Sequence, residues 1–180
     1  MNPQQVLDHL LNLERRVRDV YRTLSERTEF PDQLRSFWRS MAEDETHHII
    51  TLERSAHLFE VMERAPSGLD ADIAKVEETI AQAESTVRRA VLTSDDALLM
   101  GLTIEGSELN QLDETWLQSF RSTSRLLLEA LTPSHESHIR RLVDAVHRFS
   151  VIKELHVTAD TLWSRYEQQH DHTKRTPGSP

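Results

Sequence analysis

The amino-acid sequence predicts an all-α protein: a four-helix bundle of two antiparallel helical hairpins joined by a long crossover, followed by a C-terminal helix. Two observations predict this class. Only 4 glycines and 6 prolines occur among 180 residues, too few turn formers for the many tight reversals of a β-sandwich or barrel. Along most of the chain, apolar residues recur at the three- and four-residue spacing of one helix face. The length suits a single domain with a sizeable core.

The first hairpin is predicted over residues 4–28 and 32–64. The segment Phe30-Pro31-Asp32 separates its two helices, and Asp32 is a candidate N-cap for the second. A short connection of this kind makes the two helices antiparallel neighbours. The first apolar face consists of Leu7, Leu10, Leu11, Val17, Tyr21 and Leu24, and the second of Leu34, Phe37, Trp38, Met41, Leu52 and Phe59.

Residues 65–93 form the predicted crossover, and they include an amphipathic segment expected to be a helix of its own. A connection of this length allows the second and third main helices to run parallel. The third main helix is expected to begin at Ser94, with a turn at 121–124 before the fourth. The helical domain is therefore predicted over 1–167, and the polar residues 168–180 are predicted to be a disordered tail.

Two features of the second hairpin leave alternatives open. Pro133 either kinks a continuous fourth helix or, with Thr132 as the cap, occupies the first turn of a shorter one. No glycine or proline separates the fourth helix from the last amphipathic stretch, which ends near Tyr166. The two stretches are therefore either one helix or two.

Composition excludes several functional classes. With 21 Lys and Arg against 30 Asp and Glu, the formal net charge is −9, which does not favour a nucleic-acid or anionic-membrane partner. The absence of cysteine excludes disulfides, thiolate catalysis and iron–sulfur centres. No glycine-rich phosphate loop is present. Neither a leader nor a membrane span is recognisable, so we expect a cytoplasmic protein.

Seven ionisable side chains interrupt the apolar faces near the middle of the four bundle helices. Burying an unpaired carboxylate costs several kcal/mol, against a total stability of about 5–15 kcal/mol for a typical domain. Divalent cations would neutralise such a cluster, because iron, manganese and zinc accept carboxylate oxygen and imidazole nitrogen together. The seven candidate metal ligands are Glu14, Glu45, His48, Glu105, Glu108, His135 and His138.

The spacing of these residues supports one shared site. Each of the first-half positions Glu14, Glu45 and His48 has an ionisable counterpart 90 or 91 residues later. Glu14 and Glu45 also lie at equal distances from the Phe30–Pro31 turn, which places them at one height in an antiparallel hairpin. Asp44 lies on a more polar face and is a candidate acceptor for an imidazole N–H. Tyr21 is interpreted mainly as a packed aromatic, with a contact to the site as the alternative.

A glutamate on one helix and Glu-x-x-His on the next, repeated across a crossover, is the signature of ferritin-like di-iron carboxylate proteins. The run Met41-Ala42-Glu43-Asp44-Glu45-Thr46-His47-His48 resembles the second-helix motif of rubrerythrins and bacterioferritins. Glu105-x-x-Glu108 resembles the third helix of rubrerythrins. The resemblance covers residues 5–149.

The resemblance implies a ferritin-like fold and two metal ions per chain, with iron expected and manganese or zinc as alternatives. One ion would be held by Glu14, Glu45 and His48 and the other by Glu105 and His138, with Glu45 bridging and Glu108 as an extra ligand. His135 stands where the family has a second bridging glutamate, which implies an asymmetric, weaker or mononuclear site.

The expected function is that of a di-iron oxidoreductase acting on peroxide, oxygen or Fe(II), in the manner of a rubrerythrin or a ferroxidase. Without cysteine the chain lacks the rubredoxin-like module that rubrerythrins usually carry, so turnover would need an external electron donor. Two alternatives remain open: a non-catalytic metal-binding or iron-sensing module, and a metal-free helical interaction protein. In the metal-free alternative, residues 70–92 and 150–167 would form a dimer surface. A homodimer is expected.

Overall fold

The computed structural model describes residues 1–60, 69–108 and 137–174. All regular secondary structure in these ranges is α-helical, which confirms the predicted all-α class. The helices are α1 (Pro3–Ser25), α2 (Asp32–Arg54), α3 (Ala56–Glu60), α4 (Leu69–Val87), α5 (Ser94–Glu108), α6 (137–149) and α7 (Lys153–Lys174). The predicted turn at 121–124, Pro133 and residues 175–180 lie outside the described ranges.

The first hairpin forms largely as predicted, with two differences at helix ends. Helix α2 begins at Asp32 itself, and Pro31 occupies the N-cap position, so Asp32 is a first-turn acidic residue rather than the cap. At that position its negative carboxylate still stabilises the helix, because it lies near the positive end of the helix dipole. The second helix was expected to continue to about residue 64, but it ends at Arg54, and the separate helix α3 follows after Ser55.

Helix α4 forms inside the predicted crossover and packs against both α1 and α5. Its buried face consists of Leu69, Ile73, Val76, Ile80, Ala83 and Val87. Two arginines tie it to the first hairpin. Arg16 donates two hydrogen bonds, of 2.8 and 3.0 Å, to the Glu84 carboxylate. Arg27 donates to the backbone carbonyl of Val87, which the end of the helix leaves without an intrahelical partner. It also donates to the carbonyls of Arg89 and Ala90, which follow the helix.

Helix α5 begins at Ser94, as the sequence predicts, because the preceding residue caps it. The hydroxyl of Thr93 accepts from the backbone N–H of Asp96 at 3.1 Å, and the Asp96 carboxylate accepts from the backbone N–H of Thr93 at 3.0 Å. These reciprocal bonds satisfy two donors that a helix N-terminus otherwise leaves free.

The open question about the end of the chain is resolved in favour of two helices. Helix α6 ends at residue 149, and the hydroxyl of Ser150 accepts from the backbone N–H of Ile152 before α7 begins. Helix α7 packs against α5 and remains helical to Lys174, beyond residue 168, where the disordered tail was predicted to start. None of the described helices combines the length and the apolar character needed to cross a membrane.

Candidate metal centre

Helices α1, α2, α5 and α6 each bring an ionisable side chain to one place inside the protein. Glu45, His48, Glu105 and His138 are at most 2% exposed. Glu14 of α1 lies at the edge of the group, with 17% of its side chain exposed. Helices α2 and α6, which carry part of this cluster, also contribute apolar core residues that are 0% exposed, including Met41, Leu142 and Trp38.

Glu45 and His48 lie one helical turn apart on the buried face of α2, a spacing that brings two side chains on a helix together. The Nδ1 atom of His48 is 2.9 Å from Oε2 of Glu45. The same nitrogen is 3.3 Å from Oε2 of Glu14 on the neighbouring helix. One imidazole nitrogen of α2 therefore faces carboxylates from two helices.

His138 of α6 completes the arrangement from the opposite side. Its Nε2 atom is 3.3 Å from Oε1 of Glu105 and 3.5 Å from Oε1 of Glu45. The centroids of the His48 and His138 rings are 5.8 Å apart. The Glu45 carboxylate therefore lies between two imidazoles and directs one oxygen toward each.

Tyr21 of α1 also reaches the site. Its hydroxyl donates a 2.6 Å hydrogen bond to Oε1 of Glu105, the oxygen that faces His138. The Tyr21 ring stacks on Trp38, with centroids 5.3 Å apart. Both interpretations of Tyr21 are therefore correct: it is a packed core aromatic, and it contacts a candidate ligand. The signal in the sequence was its position two turns after Glu14 on one face.

Burial and mutual contacts shift the protonation of the cluster. Burial raises the pKa of Glu105 to about 7, although the Tyr21 hydrogen bond and the charge of His48 partly oppose the shift. Burial, with the negative charge of Glu14, raises the pKa of Glu45 well above its ordinary value. Burial lowers the pKa of His48, but the hydrogen bonds and charges of Glu14 and Glu45 outweigh it and raise that pKa to about 11. Without a cation, protons retained on Glu45, His48 and Glu105 therefore offset the negative charge of the cluster.

The geometry is suited to a metal ion. Glu45, His48 and His138 each offer one ligand atom, and these atoms all lie within 4.8 Å of one another. Oε1 of Glu45 is buried and makes no hydrogen bond to any described residue. Imidazole nitrogen and carboxylate oxygen are ligands that zinc, iron and manganese share. This cluster could therefore hold a metal ion, and the donor set alone does not choose which metal or how many.

The structure brings five of the seven predicted ligands together, and their role as metal ligands stays a prediction. These five are Glu14, Glu45, His48, Glu105 and His138. Glu108 is the last residue of α5, and its side chain is not among those described. His135 lies outside the described ranges.

The structure gives Asp44 a partner that the sequence did not predict, and its expected contact with an imidazole stays a prediction. Its carboxylate forms an ion pair with Arg141 of α6. Arg141 also donates to the hydroxyl of Ser40 at 3.2 Å. The polar face of α2 that carries Ser40 and Asp44 is thus partly covered by α6, whereas His47 is exposed.

Comparison with protein-family models, with curated proteins and with solved structures finds no match to this chain.

Proposed function

We propose that this protein is a ferritin-like, non-haem di-iron protein that uses a pair of iron ions in its core to reduce peroxide or oxygen. The observation that carries the proposal is the Glu45 carboxylate, buried between the imidazoles of His48 and His138, with Glu105 facing the same Nε2 atom of His138. The sequence motif and its repetition across the crossover support the same proposal.

A cation explains the composition of the cluster better than internal ion pairs do. Among the described residues, neither Glu45 nor Glu105 forms an ion pair with lysine or arginine. Each buried charge costs several kcal/mol unless it is well paired, and burial holds the pKa of Glu105 at about 7. Displacing the retained protons with a divalent cation would leave every carboxylate ionised and neutralised at once.

The separations between ligand atoms also fit a metal ion. With metal–ligand bonds of about 2.0–2.2 Å, adjacent ligand atoms of an octahedral or tetrahedral site lie about 2.8–3.6 Å apart. The nitrogen–oxygen separations around the Glu45 carboxylate and His138 range from 2.9 to 3.5 Å. These separations are compatible with ligand atoms that share an ion.

The chain's own residues divide into two groups around Glu45. Glu14 and His48 approach its Oε2 side, and they would hold one ion. His138 approaches its Oε1 side and, with Glu105, would hold the other. On this division Glu45 would contribute to both ions, and the sequence alone predicts Glu108 and His135 as further ligands.

A pair of Fe(II) ions held by these residues would supply two electrons, one from each ion. With two protons, two electrons reduce one H2O2 to two water molecules or one O2 to H2O2. Since the sequence contains no cysteine for an electron-transfer cluster of its own, return to Fe(II) would depend on an external donor. The burial of the ligands would keep bulk water away from the reacting centre.

The test compares His48→Ala with His47→Ala, which removes the exposed neighbouring imidazole from the same helix. Anaerobic Fe(II)-loaded protein is mixed with H2O2 or O2 in a stopped-flow instrument, and the near-ultraviolet absorbance of Fe(III) is followed. We expect rapid oxidation in the wild type and in His47→Ala, and loss of the rapid phase in His48→Ala.

Equal rates in all three proteins, or in protein-free Fe(II), would refute the proposed activity. Metal binding that depends on His48 without rapid oxidation would instead favour a structural or iron-sensing site. Glu105→Ala should behave as His48→Ala does, because it removes the carboxylate that faces His138.

A further inference from the structure

Helix α5 contains a glycine at a position where it costs stability. A glycine inside a helix is about 1 kcal/mol less favourable than alanine. A Cβ atom added at Gly101 would lie 2.9 Å from Cη2 and 3.3 Å from Cζ3 of Trp38, and 3.2 Å from Cδ1 of Leu142. Real side chains do not approach to 2.9 Å, so the missing Cβ is what allows the indole to rest on the backbone of α5.

Gly106 on the same helix provides the contrast. Among the described residues, a Cβ atom added there would meet only Cδ1 of Leu162, at 3.8 Å, which is an ordinary van der Waals contact. Alanine at either position gains the same helix propensity, but only at Gly101 does the new methyl group displace the indole.

Trp38 connects Gly101 to the candidate metal centre. The indole and the ring of Tyr21 are both 0% exposed and stack with an interplanar angle of 27°. The Tyr21 hydroxyl in turn holds Oε1 of Glu105 at 2.6 Å. Gly101 and Glu105 lie one helical turn apart on α5, so the contacts form a closed loop through α2 and α1 and back to α5.

We propose that Gly101 and Trp38 are positioning residues for the metal centre. The indole, seated against Gly101, fixes the ring of Tyr21, and the hydroxyl of Tyr21 then holds the Glu105 carboxylate toward His138. The importance of this loop for metal affinity rests on the proposed function. The hydrogen bond that it positions is a property of the metal-free protein and is measurable by itself.

The first measurement is the affinity for Co(II), a spectroscopic probe that takes the same ligand types, in Gly101→Ala and its matched control Gly106→Ala. Loss of a group that orients a metal ligand typically costs 10–100-fold in affinity. We expect Gly101→Ala to bind Co(II) at least about tenfold more weakly than the wild type, and Gly106→Ala to match the wild type.

A double-mutant cycle separates positioning from general loss of packing. Tyr21→Phe alone should weaken Co(II) binding about as much as Gly101→Ala does, because both release Glu105. If Gly101 acts through Tyr21, adding Gly101→Ala to Tyr21→Phe causes little further loss. A further loss as large as in the wild-type background would overturn the inference.

The second measurement needs no metal. In a Tyr166→Phe background Tyr21 is the one remaining tyrosine, and the Raman Fermi doublet of tyrosine reports whether its hydroxyl donates a strong hydrogen bond. We expect Gly101→Ala to shift the intensity ratio of the doublet away from that of a strong hydrogen-bond donor, and Gly106→Ala to leave the ratio unchanged. Trp38→Phe, which removes the indole atoms facing Gly101 without adding any, should also shift the ratio in this direction and serves if Gly101→Ala does not fold.

An unchanged doublet in both Gly101→Ala and Trp38→Phe would refute the positioning role. If the wild type binds no Co(II) while the doublet responds as expected, the proposed function fails and the positioning of Glu105 stands. The two failures are therefore distinguishable.

Discussion

Replacing Glu105 with glutamine should change how the stability of the metal-free protein depends on pH. The carboxyl group has an ordinary pKa of 4.5, and burial raises it to about 7 in the folded chain. The folded state therefore binds a proton more tightly than the unfolded state does. The stabilisation from this proton is fully present below pH 4.5 and is lost as the pH rises to about 7.

The size of the effect follows from the shift. A difference of 2.5 between the two pKa values, at about 1.36 kcal/mol for each unit, corresponds to roughly 3 kcal/mol of unfolding free energy. Glutamine keeps the oxygen that accepts from Tyr21 and does not titrate. Relative to the wild type, Glu105→Gln should therefore gain roughly 3 kcal/mol between pH 4.5 and pH 7.

The assay is urea unfolding of both proteins in the presence of a chelator, over a series of pH values spanning this range. Glu84→Gln is the control with the opposite sign, because the hydrogen bond from Arg16 lowers the pKa of Glu84. In a series extended below pH 4.5, that variant should lose stability relative to the wild type as the pH rises to about 4.5, and the difference should stay constant from there to pH 7. A constant difference between Glu105→Gln and wild type across the range would refute the assignment of Glu105 as a buried, proton-retaining carboxyl group.

Three further predictions concern the cluster and the helix ends. Co(II) binding should release protons and strengthen as the pH rises, since the pKa of His48 is about 11 in the metal-free protein. Calorimetry in buffers of different ionisation enthalpy measures the number of protons released. Binding of Co(II) without proton release would contradict the prediction. Thr93→Ala should lose about 1 kcal/mol of unfolding free energy with its capping box, whereas Thr158→Ala, on an exposed face, should lose less. Arg27→Met should lower the unfolding free energy by about 1–3 kcal/mol, because it leaves the carbonyls of Val87 and Arg89 without this donor. The Arg22 side chain is 72% exposed, so Arg22→Met should lower it by about 0.5 kcal/mol or less. Equal losses in the two arginine variants would contradict this prediction.

The sequence predicted the residues of the cluster because helix periodicity and hairpin symmetry fix which positions share a height. Glu14, Glu45 and His48 share a buried side of the first hairpin, and Glu105 was predicted as the counterpart of Glu14, 91 residues later, on the apolar face of its own helix. Both rules depend only on backbone geometry and the position of a turn. Predictions from these two rules therefore do not depend on which rotamers the side chains adopt.

Contacts between particular neighbouring helices were not predictable in this way. The pairing of Asp44 with Arg141 depends on α6 covering a polar face of α2. The rotation of α6 about its axis is set by its packing against several helices, and the apolar pattern of one helix does not specify it. The hydrogen bond from Tyr21 to Glu105 likewise depends on side-chain rotamers. Periodicity places a residue on a face but does not select its partner.

Helix ends depended on local hydrogen bonds that composition does not signal strongly. The break between α6 and α7 contains neither glycine nor proline, and the hydroxyl of Ser150 helps to form it. Gly101 shows the converse case. The sequence did not distinguish it from the other glycines, and its role follows only from the indole of Trp38, which would lie 2.9 Å from a Cβ atom added there.

Metal content per chain is the measurement that tests the central claim most directly. Protein purified without a polyhistidine tag is dialysed anaerobically against Fe(II), and its iron is counted by mass spectrometry beside His48→Ala. The variant corrects for adventitious binding by the exposed histidines. We expect two ions per wild-type chain, or one if His135 prevents the second from binding, and fewer in the variant. Equal iron in both proteins, or none in the wild type, would contradict a metal centre built on Glu45, His48 and His138.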